Sequence, residues 1–445
     1  MKAWIVTLGC PKNLVDSEAA LTLLRGAGCD AAGAPDEADL LVVNACSFLE
    51  SSWRETLGEV DRLAGMRRAG QRVILMGCLP RHRKIDLEKE IPEVDFFVPS
   101  GAHGELPRLI RDLEKGGHPP VWLAGDATDR FVSLAGRDRL TVPHVAYVKV
   151  AEGCNRSCSF CAIPAIRGRQ QARAGERIVA EVQRLVEDGV KEISLLAQDI
   201  VSWRDGTMRL PELIDELAAT GMPWIRIFYV HPAGVDAASL ERLFVHPSVC
   251  RYLEMPVQHI STRILSAMRR GYGRDHVETL LRTTREQFPD VVIRSEVIVG
   301  YPGETEEEFE ELKRFVEEIS FDSLGVFPYS PEPGTVAGAL ASSGFDHAMA
   351  HDRANELSEL QEAVACGARS RFIGRALDVL VDRELPPGNE SGAAGYRAAG
   401  RFYGQAPEVD GEVYVRGTGI TPGEFVSVQI SDAGPYDLMG SRNSR

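Results

Sequence analysis

The chain has 445 residues, 44% apolar and 26% charged, which sets an expectation of about three globular domains and excludes both a single small module and a disordered chain. No uninterrupted apolar run is long enough to cross a bilayer, and Met1 to Cys10 has no small-residue cleavage site, so it reads as a first strand rather than a signal peptide, and a cytoplasmic protein is expected. Lys and Arg total 50 against 65 Asp and Glu, a formal charge of −15, which excludes nonspecific attraction to a phosphate backbone as the main source of binding.

The first hundred residues alternate buried-type strands with amphipathic helices. The strands run Trp4 to Leu8, Leu40 to Asn44, Val73 to Met76 and Val94 to Val98, with helices near Asp16 to Ala27 and through Trp53 to Ala64. This N-terminal α/β domain is expected over 1–115. A linker over 116–139 follows, rich in Gly, Pro, Asp and Arg without clear periodicity. From Val145 the alternation resumes, with strands at Val145 to Val150, Ile193 to Ala197, Trp224 to Tyr229, Tyr252 to Met255, Val291 to Val299 and Ser323 to Phe327. Six βα units in sequence imply a parallel sheet or an open barrel over 140–370. Thr305 and Glu308 form a capping-box pattern ahead of Phe309, Leu312, Val316 and Ile319, and the acids Glu306 to Glu308 read as a solvated face. After a helix through Arg353 to Arg369, short strands at Ala376 to Val381, Gly411 to Val415, Phe425 to Ile430 and Tyr436 to Met439 predict a small antiparallel β-barrel over 371–440.

The nine cysteines favour metal or redox chemistry over a disulfide framework, since a chain this long can bury an adequate core without staples. Cys154, Cys158 and Cys161 form a C-x3-C-x2-C cluster on the loop leaving the first barrel strand. Three thiolates on one loop supply three corners of a tetrahedral or cubane site and leave a fourth position open for chemistry; a zinc site completed by a distant His or Cys is the structural alternative. Cys10, Cys46 and Cys78 stand 36 and 32 residues apart, yet each sits just past one of the first three main strands. In an open parallel sheet the carboxyl ends face one crevice, so these thiols are expected to converge. Cys29, Cys250 and Cys366 show no such placement and read as core or surface thiols. His231 and His259 read as satisfied buried histidines, and Val299 to Glu304 as a glycine-rich strand exit, either a plain turn or an approach to a cofactor.

The C-x3-C-x2-C triplet, with Phe160 before its third cysteine, resembles the signature of radical S-adenosylmethionine enzymes. The whole chain resembles the methylthiotransferases: an N-terminal three-cysteine α/β domain, an open radical S-adenosylmethionine (βα)6-type partial barrel, and a C-terminal TRAM, OB-like barrel. The resemblance implies two 4Fe-4S clusters, one on Cys154, Cys158 and Cys161 and one on Cys10, Cys46 and Cys78. It also implies S-adenosylmethionine as both methyl donor and radical source. Phe160 is implied near the adenine, Gln198 at the methionine amino group, and Gln258 and Glu296 near the ribose or carboxylate; no catalytic residue is assigned beyond the cluster ligands.

Two branches compete. One modifies an adenosine in transfer RNA, the other the β-carbon of an aspartate in ribosomal protein S-twelve of the small subunit. Gly9-Cys10-Pro11-Lys12-Asn13-Leu14-Val15-Asp16-Ser17-Glu18, Cys161-Ala162-Ile163-Pro164-Ala165-Ile166-Arg167-Gly168, Leu195-Leu196-Ala197-Gln198-Asp199 and Gly404-Gln405-Ala406-Pro407-Glu408-Val409-Asp410-Gly411 resemble the ribosomal-protein branch. Ala45-Cys46-Ser47-Phe48 departs slightly from its usual wording. Between Arg371 and Gly440 six arginines face ten acids with no lysine. That balance suits a basic protein partner better than RNA, so nucleic acid is expected only through the ribosome. An electron donor and a sulfur donor are implied as further partners. A reading from a different class is a non-enzymatic iron-sulfur electron carrier or binding protein, which the missing fourth clustered cysteine argues against.

Overall fold

The computed structural model describes residues 1–82, 87–117, 121–123, 131, 136–341, 345–386 and 395–443. Five parallel strands open the chain: β1 (Lys2–Thr7), β2 (Asp30–Ala31), β3 (Leu40–Ala45), β4 (Arg72–Gly77) and β5 (Phe96–Pro99), in the spatial order β2-β1-β3-β4-β5. Central β3 is buried along its whole length, because helices cover both faces of a parallel sheet. Leu40 and Val42 pack with Leu24 of α1 (Pro11–Gly26) and with Leu106, Leu109 and Ile110. Leu41, Val43 and Ala45 pack with Trp53, Val60 and Leu63 of α2 (Glu50–Met66) on the other side.

Helix α1 begins at Pro11, well before the apolar periodicity at Asp16. Its first turns hold Lys12, Asn13, Asp16, Ser17 and Glu18, which are polar and yet buried, so no apolar stripe marks them. Pro11 does mark the start, since a first-turn proline gives up an N–H that has no helical partner anyway. The linker expected at 116–139 lies partly outside the described residues. Within its described part, Trp122 bridges to Phe97 in parallel and stacks on that ring at 4.5 Å, and Arg137 is buried.

The second unit sets β6 (Val145–Lys149), β9 (Glu192–Leu196) and β12 (Trp224–Ile227) in one parallel triple and β13 (Tyr252–Glu254), β14 (Val292–Val299) and β15 (Ser323–Pro328) in another. A bridge between Ile225 and Val249 carries the line from β12 toward β13, giving the open six-stranded barrel. Short pairs, β7 (Ala151–Glu152) with β8 (Gln171–Ala172) and β10 (Arg204–Asp205) with β11 (Met208–Arg209), fill its loops. Alternate residues such as Val148, Ile193, Leu195, Ile225 and Ile293 pack outward in one core with the flanking helices. Several intervening positions on the inner face are charged, namely Lys149, Glu192, Arg226, Glu254, Arg294 and Glu296, while Tyr147, Leu196, Tyr252 and Val292 pack with the core of the C-terminal barrel. The expected capping box forms, with Glu308 N–H donating to Thr305 and Thr305 N–H to Glu308.

Strands β16 (Ala376–Glu384), β17 (Ala398–Phe402), β18 (Val413–Arg416), β19 (Phe425–Ala433) and β20 (Leu438–Arg442) close a barrel in the order β16-β17-β18-β20-β19. Its pairings are antiparallel except for β18 with β20. Strand β17 escapes the sequence pattern because Ala-Ala-Gly carries little β propensity. This barrel plugs the floor of the six-stranded one. Arg226, fully buried, donates to Glu192 at 2.8 Å and to the Tyr403 carbonyl at 2.8 Å, and Arg401 reaches the same Glu192. Asp410 accepts from Tyr252 Oη at 2.7 Å and Arg294 at 3.0 Å. The stretch Gly404 to Gly411 is therefore the plug itself, at the end of the barrel opposite the cysteine loop.

Candidate active site

Each cysteine of the N-terminal triplet occupies a strand exit. Cys10 is the N-cap of α1, Cys46 follows β3, and Cys78 follows β4. The glycines before two of them fix the geometry. Gly9 has φ +88°, and a Cβ there would stand 2.7 Å from Cys46 Cβ and 3.0 Å from its Sγ; Gly77 has φ +101°, and a Cβ there would stand 2.7 Å from the Ala45 carbonyl oxygen. Only glycine serves at either turn. Gly9 packs on Cys46, and Cys78 Sγ reaches Asn13 Oδ1 of the turn after Cys10 at 3.7 Å, so the three strand exits meet at one corner of the sheet.

Their surroundings differ in sign. Burial alone would raise the Cys10 thiol, but Lys12, Arg167 and the N–H groups of Asn13 and Lys12 outweigh it and pull its pKa down. Burial raises Cys46, and pushes Cys78 up to about 12 against the opposing pull of Arg167. Arg167 donates to Cys78 Sγ from Nε at 3.3 Å and Nη2 at 3.2 Å. Arg167 belongs to the helix Ile163–Arg167 that follows Cys161, and Ala162 and Ile166 pack directly on Cys78. The loop bearing the second triplet thus abuts the first.

Cys154, Cys158 and Cys161 are half-buried. Burial raises Cys154 and lifts Cys161 to about 12. Arg270 Nη1 donates to Cys158 Sγ at 3.3 Å, and the Arg156 N–H to Cys154 Sγ at 3.3 Å. Arg156 is held in turn by Asp199 at 2.7 Å. Among the described residues no three His, Cys, Asp or Glu side chains are grouped to hold a single metal ion. The all-thiol donor sets, with N–H groups aimed at their sulfurs, suit iron-sulfur clusters better than a mononuclear zinc site with mixed ligands.

A buried ion network locks the two triplets together. Lys149 at the end of β6 donates to Asp16 of α1 at 2.5 Å and to Glu152 at 2.7 Å. Arg167 meets the same two carboxylates at 3.0 and 2.6 Å, and Asn13 Oδ1 at 2.5 Å. Nearby, Arg137 bridges Glu18 of α1 and Glu181 of the barrel. Lys12 lies over the Tyr229 ring, 3.3 Å from its centroid. Sequence reasoning did not single out Lys149, Glu152 or Arg270, and it quoted Lys12, Asp16 and Arg167 only as parts of motifs. Their one visible signal is charge placed at strand ends, which reads equally as solvated surface.

The four other expected residues fall around the mouth. Phe160 packs partly buried with Met268, Tyr301 and Tyr329. Gln198 Nε2 donates to Glu152 at 3.3 Å, while its Oε1 is buried without a hydrogen-bond partner. Gln258 has φ +69°, and its N–H donates to the Glu296 carbonyl at 2.8 Å, so the segment after β13 pairs alongside β14, within which Glu296 lies. His259 is tied to Glu304 at 3.2 Å and to the Ser261 N–H at 3.0 Å, as a satisfied core histidine should be. His231 accepts from the Ala233 N–H at 3.2 Å, but its Nε2 is buried without a partner. Glu304 also closes the Val299 to Glu304 turn on the Gly300 N–H. Cys29 and Cys250 lie in apolar cores, and Cys366 is exposed.

A three-thiol loop at the mouth of an open six-stranded parallel barrel defines the radical S-adenosylmethionine class, and the profile of that superfamily matches residues 148–316. The uncharacterised family UPF0004 matches 2–99 and the TRAM domain 373–442. Among solved structures, the radical S-adenosylmethionine methyltransferase TsrM from Kitasatospora setae aligns with TM-score 0.56 and 16% identity, over 87% of this chain and 79% of its own. The cobalamin-dependent radical enzyme OxsB aligns with TM-score 0.54 and 11% identity, over 90% and 64%. Both are likenesses of fold. Closer in sequence are proteins named ribosomal protein uS12 methylthiotransferase RimO. That of Anaeromyxobacter sp. (strain Fw109-5) is 39% identical over 99% of this chain and 92% of its own. Those of Geobacter sulfurreducens and Bdellovibrio bacteriovorus are 37% and 35% identical, each over 99% of this chain and over 98% and 97% of their own lengths. The chain belongs to the RimO family of ribosomal protein uS12 methylthiotransferases.

Proposed function

We propose that this chain inserts a methylthio group at the β-carbon of an aspartate in ribosomal protein uS12. The observation that carries the reading is the direct abutment of two thiol triplets, through Arg167 on Cys78, at the facing strand ends of two domains. Cys154, Cys158 and Cys161 would hold one 4Fe-4S cluster with S-adenosylmethionine, and Cys10, Cys46 and Cys78 the other. When bound, these groups supply one-electron cleavage of S-adenosylmethionine and the sulfur that is methylated and transferred.

The rest falls to the chain's own side chains. Arg167 donates N–H groups to Cys78 Sγ and favours its thiolate against burial, and Arg270 donates an N–H to Cys158 Sγ. The Asp16, Glu152, Lys149 and Arg167 network fixes the spacing of the two domains, since no member can move without stranding a buried charge. Gln198 Oε1, buried and without a partner, would accept from the cofactor's amino group, with Phe160 as an apolar wall and Gln258 and Glu296 near its ribose or carboxylate. Burial of the seam keeps water from a radical centre that would otherwise be quenched by side reactions.

The acidic C-terminal barrel supports a basic ribosomal protein over transfer RNA as target. An external electron donor and a sulfur donor complete the reaction. No helix among the described residues is long and apolar enough to cross a membrane, in keeping with action on ribosomal protein in the cytoplasm. The test is anaerobic reconstitution with iron and sulfide, then incubation with reductant, S-adenosylmethionine and purified uS12 while peptide mass is followed. About eight irons per chain, as two 4Fe-4S clusters require, with a methylthio mass gain on one aspartate is the expected result. About four irons would remove the second cluster. Cofactor cleavage with unmodified uS12 would redirect the search to transfer RNA.

A further inference from the structure

We propose that Lys12 is the specificity-determining residue that binds the side-chain carboxylate of the substrate aspartate. This rests on the reading of the chain as an aspartate methylthiotransferase, and deepens it. Lys12 is the second residue of α1 and only 7% exposed. Its ammonium lies 3.3 Å from the Tyr229 ring centroid and makes no hydrogen bond or ion pair with any described residue. Burial disfavours its charge, and Cys10, then Glu254 and Glu152, support it electrostatically, none of them within hydrogen-bonding or ion-pairing distance.

The other buried cations around it are all matched. Lys149 has Asp16 and Glu152, Arg167 has the same two, Arg137 has Glu18 and Glu181, and Arg226 has Glu192. A face-on aromatic ring offsets only part of the cost of drawing an ammonium away from water. No described carboxylate reaches the ammonium at contact distance, which leaves room there for an acid from outside the chain.

Position says which one. Lys12 lies two residues from Cys10 and over Tyr229, which follows β12 at the carboxyl end of the barrel strands. That is the gap between the triplet that delivers sulfur and the mouth where the radical is generated, and the carbon to be modified must enter it. In an aspartate that carbon is bonded directly to the carboxylate. An ammonium at this point pairs with the acid and leaves the β-carbon to be presented between the two triplets. It would also disfavour a neutral side chain, because the buried charge would then stay unmatched.

The test uses reconstituted holoenzyme with S-adenosylmethionine but without reductant, so that binding is read without turnover. Affinities are measured for a uS12 peptide carrying the target aspartate and for the same peptide with asparagine there, against the parent, Lys12→Met and Lys12→Arg. We expect the parent to prefer the aspartate peptide at least tenfold, Lys12→Met to lose that preference by weakening the aspartate peptide alone, and Lys12→Arg to keep part of it. Iron content should stay that of the parent in all three. The proposal is overturned if Lys12→Met weakens both peptides equally, if it keeps the preference, or if it sheds the irons held by Cys10, Cys46 and Cys78, which would make Lys12 a support of that cluster. If the parent binds neither peptide, the reading of the chain as a uS12 enzyme fails first, and the assignment of Lys12 with it.

Discussion

Replacing Arg167 with Met tests the seam that joins the two triplets. The substitution keeps a long apolar stem and removes the guanidinium, which meets Asp16 at 3.0 Å, Glu152 at 2.6 Å, Asn13 Oδ1 at 2.5 Å and Cys78 Sγ at 3.2 and 3.3 Å. All three charged partners of the network, Asp16, Glu152 and Lys149, are buried. Two carboxylates matched by two cations would become two carboxylates matched by Lys149 alone. Breaking a buried ion pair by removing one partner costs about 3–5 kcal/mol, a large part of the roughly 5–15 kcal/mol that holds a domain folded. Urea unfolding of the metal-free chain, followed by tryptophan fluorescence and far-ultraviolet dichroism so that coincident traces license a two-state reading, should show a loss of that size. Adding Glu152→Gln should restore about 1 kcal/mol or more, since it removes the orphaned charge, and the two substitutions should couple rather than add. A loss under about 1 kcal/mol, or simple additivity, would refute the network as drawn.

Three further outcomes are expected. Cys158→Ala should abolish 5'-deoxyadenosine formation, while Cys46→Ala should spare it and stop sulfur transfer; equal loss of cleavage in both would overturn the division of labour between the triplets. Iodoacetamide should label Cys10 of the metal-free chain before Cys78 near neutral pH, because the Cys10 thiol is pulled down and the Cys78 thiol is pushed up to about 12; peptide mapping showing Cys78 first would contradict this. Burial, then the charge of Glu296, raises the Glu254 carboxyl from 4.5 to about 8. The folded state therefore holds a proton that the unfolded chain releases, and stability from this group declines as pH rises from about 4.5 to 8. Glu254→Gln should accordingly gain in melting temperature over the parent at pH 8.5 relative to pH 5, and a gap that does not change with pH would show that Glu254 is not the group responsible.

The cysteine geometry was legible because strand-end placement in a parallel sheet is a matter of topology. Three short apolar strands, each followed by Cys, already imply one crevice, and the structure adds only that Gly9 and Gly77 have no room for a side chain. The buried charges were not legible, for a physical reason. Apolar periodicity registers a face that packs against apolar neighbours, whereas Asp16 and Glu18 are covered by Arg167 and Arg137, more than a hundred residues along the chain. A polar helix face matched by distant cations has the same sequence pattern as one facing water. The same blindness hid the start of α1. It also left the role of Gly404 to Gly411 open: that stretch resembles a family branch in wording, but structurally it is where the small barrel plugs the large one.

That plug bears on the partner. The sequence count of six arginines against ten acids between Arg371 and Gly440 treats every charge as surface, and the structure turns some of them inward. Arg401 is buried between Glu192 and Asp382, and Asp410 pairs with Arg294 of the large barrel. Setting aside Arg401, Asp382 and Asp410 leaves five arginines against eight acids, so the excess of acid survives. Of those five, Arg371 is engaged with Asp322, Arg383 with Glu412 at 2.7 Å, and Arg416 stacks on the Tyr396 ring at 4.5 Å. A surface that held RNA through its phosphates would keep its arginines outward and unmatched. Here three of the five are committed to the protein's own acids and rings, Arg375 and Arg397 are exposed, and the outward excess is still the negative charge that a basic ribosomal protein would meet.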